Sequence, residues 1–170
     1  DDGSYEYSLG LNGLGLCATQ YASDYMEAEI HRGGFKYNLS FKKGSIVGDM
    51  QKEPYSKKDT GTRIKWLPDL EVFSDIAVPL EYFQDTLKRQ AIVNGGIKFI
   101  LKYQKDGKFE TYEYLYENGI TDYLRETARD KSISDLLVWH AEREGRDRKD
   151  QKDYKVKISV ALAFSNKVKL

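Results

Sequence analysis

The sequence predicts an α+β fold: a mostly antiparallel sheet with helices on one face. Three observations lead there. Two pairs of alternating apolar and polar stretches flank tight-turn residues, Arg32-Gly33-Gly34 in one case and Asp106-Gly107 in the other. Between them Leu80, Phe83, Leu87 and Ala91 recur at helical spacing. Thirteen tyrosines among 170 residues favour strands and amphipathic surfaces over a helical bundle.

Taken in order, Asp1 to Ser8 is polar and reads as a loop or lid. Gly10-Leu11-Asn12-Gly13-Leu14-Gly15 leads into Leu16 to Ala22, apolar at helical spacing, with Ser23-Asp24 as its stop. Tyr25 to His31 and Phe35 to Phe41 alternate as two strands of a hairpin. Lys42 to Asp59 is polar and carries Pro54, which predicts an irregular stretch. Thr60-Gly61-Thr62 opens a third strand that Pro68 closes. Pro79 fits the first turn of a helix reaching about Val93, stopped by Asn94-Gly95-Gly96. The second hairpin joins Ile97 to Tyr103 with Lys108 to Tyr114, and Gly119 to Arg129 predicts a short helix. A long strand is expected from near Ile133, then a charged, solvated loop from Glu142 to Lys152, then a last strand from Tyr154 to Phe164.

Composition narrows the function classes. Apolar residues at 40% and charged residues at 32% describe an ordinary globular protein. Lys plus Arg equals Asp plus Glu, which argues against a chain whose main work is gripping the DNA backbone. The single cysteine, Cys17, excludes an internal disulfide and any multi-cysteine metal site, and its small or apolar neighbours predict a packed thiol. His31 and His140 are too few and too far apart to suggest a metal site or a catalytic pair. No apolar run approaches the length of a membrane span, and no basic-then-apolar leader opens the chain, so no membrane role and a cytoplasmic location are expected. The absent initiator Met and the strand-like ending predict a chain cut at both ends.

The glycine cluster carries the chemistry. Missing side chains let backbone approach phosphate oxygens, and the unpaired N–H groups of a helix's first turn point at an anion with the helix dipole behind them. Leu11 to Gly15 would supply such amides, with Asn12 adding a side-chain donor. The same glycines also suit a tight turn that lets a helix pack closely, and taken alone they leave both readings open. Their spacing is neither the dinucleotide fingerprint nor a Walker loop, since no βαβ unit and no Gly-Lys-Ser/Thr accompanies them.

Three ordered motifs extend the picture: Asp1-Asp2-Gly3-Ser4-Tyr5, Ser8 to Gly15, and Thr60-Gly61-Thr62 roughly forty-five residues on. In that order and spacing the chain resembles the ATPase module of the DNA gyrase and topoisomerase IV B subunits, within the Bergerat-fold ATPases. The resemblance implies that Tyr5 is the lid tyrosine reaching the adenine. It implies that Gly10, Leu11, Asn12, Gly13, Leu14 and Gly15 wrap the β- and γ-phosphates, with Leu16 beside the nucleotide. Thr62 would meet the adenine amino group together with a water, Ile64 would line that pocket, and Arg32 would sit at its rim. Without the resemblance, Thr62 is an ordinary strand former and Arg32 a solvated turn residue. Leu9 stands where the family often has glycine, and Asn12 replaces the usual histidine.

The resemblance also implies what lies elsewhere. The general-base glutamate, the asparagine holding Mg²⁺ and the aspartate reading the adenine belong upstream of Asp1, and the transducer lysine beyond Leu170. Glu27, Glu29, Glu71 and Glu81 sit in no motif that aims them at a γ-phosphate, so this chain has no expected catalytic residue or metal ligand. Residues 1–130 are expected to be the C-terminal half of the ATP-binding domain, a partial Bergerat fold, and 131–170 the first strands of a transducer domain. For the intact subunit the resemblance implies ATP with Mg²⁺, DNA, a topoisomerase A-type partner subunit and a homodimer that closes on ATP binding. The truncated chain itself is expected to be inactive. Two alternatives stand beside this reading: another Bergerat-fold ATPase of the mismatch-repair or chaperone type, and a structural or interaction module without nucleotide.

Overall fold

The computed structural model describes residues 14–128, 132–146, 148–149 and 153–165. The chain divides into two compact units, Asp1–Ala77 and Val78–Leu170.

The first unit contains helix α1 (Gly15–Tyr21) and strands β1 (Ser23–Arg32), β2 (Phe35–Lys42), β3 (Ser45–Pro54) and β4 (Gly61–Pro68). The strands form one antiparallel sheet in the order β3-β2-β1-β4. Its connections follow from residues that accept a left-handed backbone. Gly33 and Gly34 have φ of 62° and 78°, and Lys43 and Gly44 have 46° and 79°. Positive φ at both central positions is the turn whose twist matches a two-residue hairpin. Directly opposed residues share a face, so one row runs Thr62, Ile30, Tyr37, Lys52 and another runs Trp66, Met26, Phe41, Ile46. The opposite face carries Glu27, Glu29, His31, Lys36, Asn38, Ser40, Arg63 and Lys65. Met26 is 2% exposed and anchors the apolar face beside α1.

The structure corrects three expectations in this unit. The stretch from Lys42 to Asp59 is irregular only in part, because ten of its residues form β3 and the irregular part is confined to Tyr55 onward. That strand lies at the sheet edge with every residue exposed, so no burial pattern marks it. Its register against β2 also shifts between Asn38 and Ser40, beside Gly48 at φ 70°, which breaks the alternation a sequence could show. β1 begins at Ser23, two residues before the expected Tyr25 and directly after α1 ends, and Ser23 is buried with its hydroxyl donating to the Thr19 carbonyl at 2.6 Å. Cys17 is exposed, not packed, because it lies on the first turn of α1 away from the buried Ser23 end.

The second unit contains α2 (Leu80–Val93), β5 (Phe99–Lys105), β6 (Lys108–Tyr114), α3 (Ile120–Ala128), β7 (Leu137–Gly145) and β8 (Tyr154–Leu162). Pro79 is the N-cap of α2, and Ala91 on the expected stripe is fully buried. β5 and β6 pair through Asp106 and Gly107, both at positive φ. At the start of α3 the Asp122 carboxylate accepts the Asn118 backbone N–H at 2.7 Å, which together with the Asn118 side chain holds its pKa below the usual carboxylate value. β7 begins at Leu137, later than expected, since Ser132 and Ser134 form a local turn with Ser132 bridging to Ser165. The charged run from Glu142 starts as strand and not as loop. Glu142 and Glu144 face Lys157 and Lys155 across β7–β8 at 3.8 Å each, so their charges are cross-strand partners.

Candidate functional site

The candidate site is built on the first unit. Of the residues singled out in the sequence, Tyr5, Gly10, Leu11, Asn12 and Gly13 lie outside the described residues. Leu14, Gly15 and Leu16 are described and exposed. Leu14 is the N-cap of α1 and makes no side-chain capping bond, and the first turn carries no acidic residue. The helix ladder opens with Ala18 N–H donating to the Leu14 carbonyl at 2.8 Å. The N–H groups of Gly15, Leu16 and Cys17 precede that bond, where an α-helix has no intrahelical acceptor to offer. A first turn without a capping side chain or a carboxylate is open to an anion.

The far end of α1 fixes its place on the sheet. Gln20 Nε2 donates to the Gly44 carbonyl at 2.6 Å, and the Tyr21 ring rests against Gly44, where no Cβ could be accommodated beside it. Thr19, Ala22, Trp66, Pro68 and Phe73 line a cleft of 240 Å³ between the helix and β4. Trp66 therefore faces α1. Thr62 and Ile64 precede it by four and two residues on the same strand, so they point to that side too.

Arg32 ends β1 two residues past Ile30, the cross-strand partner of Thr62, and shares their face. The structure thus brings Thr62, Ile64 and Arg32 to the α1 side of one sheet. Ile64 is 36% exposed and Ile30 38%, which leaves an open apolar wall beside the Thr62 hydroxyl. Aromatic rings continue this face: Lys52 Nζ lies 4.1 Å from the Phe35 ring centroid and 5.6 Å from that of Tyr37.

Behind Thr62, on the polar face, sits a cluster the sequence did not reveal. The His31 ring stacks on Tyr55 with centroids 4.0 Å apart and planes at 29°. Its Nε2 lies 3.3 Å from Glu29 Oε1 without the angle of a hydrogen bond, and its Nδ1 is 3.9 Å from Asp59 Oδ2. The Tyr55 hydroxyl donates to the same Asp59 oxygen at 3.3 Å. Loss of solvent, followed by the Asp59 charge, pushes the Tyr55 phenol above its ordinary pKa and keeps it a donor. Neighbouring Lys36 is held above its ordinary value by its bond to Glu53. Glu29, His31, Asp59, Thr60, Gly61, Thr62 and Arg63 together line a cleft of 170 Å³. The alternation of β1 puts Glu29 and His31 on one face legibly, but Tyr55 and Asp59 come from a loop with no periodicity.

No group of three or more His, Cys, Asp or Glu side chains among the described residues is placed to hold a metal. Among the described residues, no helix is long and apolar enough to cross a membrane.

No protein-family model matches the chain. It is 27% identical over 164 residues to the DNA gyrase B subunit of Synechocystis, covering 95% of this chain and 14% of that protein. It is 30% identical over 172 residues to the type 2 topoisomerase B subunit of Aquifex aeolicus, covering 97% of this chain and 21% of the relative. To the DNA topoisomerase 4 B subunit of Staphylococcus aureus it is 28% identical over 170 residues, 98% of this chain and 26% of the relative. The chain therefore spans about a quarter or less of the curated relatives it matches. Among solved structures it is similar to the 43K ATPase domain of Thermus thermophilus gyrase B, crystallised with an aminocoumarin. The TM-score is 0.66 at 18% identity, over 76% of this chain and 36% of that one, which shows a shared fold.

Proposed function

We propose that this chain, a member of the type II DNA topoisomerase B-subunit family, is the later part of that family's ATP-binding region and takes the phosphates of ATP at the start of α1. The observation that carries the reading is the exposed, uncapped first turn of α1, which follows directly on the Gly10–Gly15 motif and lies on the sheet face that presents Thr62 and Ile64.

On this reading the amides from Leu11 to Gly15 bind the β- and γ-phosphates, with Asn12 as a further donor and Leu16 beside them. Tyr5 closes over the adenine from the lid. Thr62 hydrogen-bonds the adenine edge and Ile64 supplies its apolar wall. Arg32 forms the rim. Positioning and charge stabilisation of this kind are the main contributions a protein makes to phosphoryl transfer. The role proposed for the named residues of this chain is to bind and orient the nucleotide. In the whole protein, ATP binding would close a homodimer into a clamp, and the captured DNA segment would pass through a break made by the A-type subunits. Residues 131–170, which include β7 and β8, would begin the transducer, whereas the compact units divide between Ala77 and Val78. The location is cytoplasmic on this reading.

Calorimetric titration of the full-length protein with a nonhydrolysable ATP analogue, with and without Gly13→Val, tests the assignment. A side chain at Gly13 should abolish binding. Equal affinity in both proteins would return the glycines to the role of a tight turn. The 170-residue chain alone should hydrolyse ATP negligibly, and turnover at the rate of an intact subunit would overturn that expectation.

A further inference from the structure

We propose that His31, acting through Tyr55 and Asp59, is a positioning residue that holds the β3–β4 loop so that Thr62 enters β4 in register for the nucleotide. The inference rests on the reading of Thr62 as an adenine contact.

The loop from Tyr55 to Thr60 has no regular structure of its own, and Thr62 is the second residue of the strand it feeds. Such a segment is ordered only by what it touches. Its first residue is tied by Tyr55 N–H donating to the Gly34 carbonyl at 2.8 Å. Its ring is then stacked on His31, and its hydroxyl reaches forward four residues to Asp59. One side chain of the loop thus bridges the rigid sheet and the residue three before Thr62. His31 is the register partner of Gly61, so the stack stands at the point where β4 begins to pair.

Alternation puts His31 and Thr62 on opposite faces of the sheet. His31 can therefore brace the strand from behind without entering the ligand side. The imidazole is held in place by its neighbours. Its side chain is 19% exposed, with Glu29 on one ring nitrogen and Asp59 near the other. A flat ring that stacks is what the site requires of position 31, and that gives the proposal a specific test.

The test uses the full-length protein and two readouts, hydrogen–deuterium exchange of the segment from Tyr55 to Thr62 and affinity for a nonhydrolysable ATP analogue. His31→Ala should raise exchange in that segment and weaken the analogue about three- to tenfold, the range an aromatic pair accounts for. His31→Phe, which keeps the stack, should restore both to near wild type. Tyr55→Ala breaks the same stack from the loop side and should reproduce His31→Ala without altering the sheet.

Unchanged exchange in both alanine variants would overturn the proposal. So would raised exchange with unchanged affinity, or a folded His31→Phe protein that behaves as His31→Ala. If the wild-type protein fails to bind the analogue, the nucleotide reading itself fails and the positioning role falls with it. That result is distinct from binding which is present and indifferent to His31.

Discussion

Gly119→Ala should destabilise the second unit far more than Gly107→Ala, although both glycines have a left-handed backbone, at φ of 56° and 75°. An L-residue in that region costs about 1–2 kcal/mol, and this part is common to the two substitutions. The surroundings then separate them. A Cβ on Gly107 meets nothing within 4 Å, whereas one on Gly119 would lie 2.8 Å from the Ile92 carbonyl oxygen and 3.6 Å from Gly95 Cα. Those neighbours are backbone at the end of α2 and its stop, so no side chain can swing aside. Overpacking of this kind adds about 1–3 kcal/mol. Gly119→Ala should therefore lose about 2–5 kcal/mol in total. Urea denaturation followed by far-ultraviolet circular dichroism measures both variants against the parent. Equal losses would refute the claim that a close backbone approach at Gly119 sets the joint between α2 and α3.

Three further outcomes are expected. Met26→Ala should cost about 2–5 kcal/mol in the same denaturation assay, because Met26 is 2% exposed between Phe41 and Trp66. Tyr116, desolvated and donating to Glu126 at 2.9 Å, has its phenol pushed up to about 12, so Tyr116→Phe should remove a phenol that ionises near that pH from a spectrophotometric titration. The raised folded value means its stabilising effect is complete below the unfolded pKa of about 10 and is lost as pH rises through the folded one. Asp122 works in the other direction. Its lowered folded pKa stabilises above about pH 4 and fades as pH falls through that lower value, so Asp122→Asn should melt below the parent at neutral pH and converge with it in acid.

Much of this fold could be read from local chemistry. Gly33-Gly34 and Asp106-Gly107 announce their turns because only a few residues accept a left-handed backbone, and β1, β2, β5 and β6 follow from the alternation beside them. β3 escaped because an exposed edge strand with a shifted register has no buried face to leave a pattern. Glu142 and Glu144 misled for a related reason: their partners Lys157 and Lys155 are distant in sequence, so cross-strand pairing looked like a solvated run. At the site, the glycine motif, Arg32 and Thr62 were legible as motif positions. That Thr62, Ile64 and Arg32 share the α1 face follows from strand register, which a motif does not encode. The stack of His31 on Tyr55 joins a strand to a loop of variable path and leaves no periodic trace.

On the proposed function, backbone amides at the entry to α1 hold a triphosphate while Thr62 meets its base. A crystal structure of the full-length protein with a nonhydrolysable ATP analogue measures this directly. The expected result places the amide nitrogens of Leu11 to Gly15 at about 2.7–3.2 Å from phosphate oxygens, with the Thr62 hydroxyl in hydrogen-bond reach of the adenine or of a water bound to it. A nucleotide seated elsewhere, with those amides turned to protein acceptors, would contradict it.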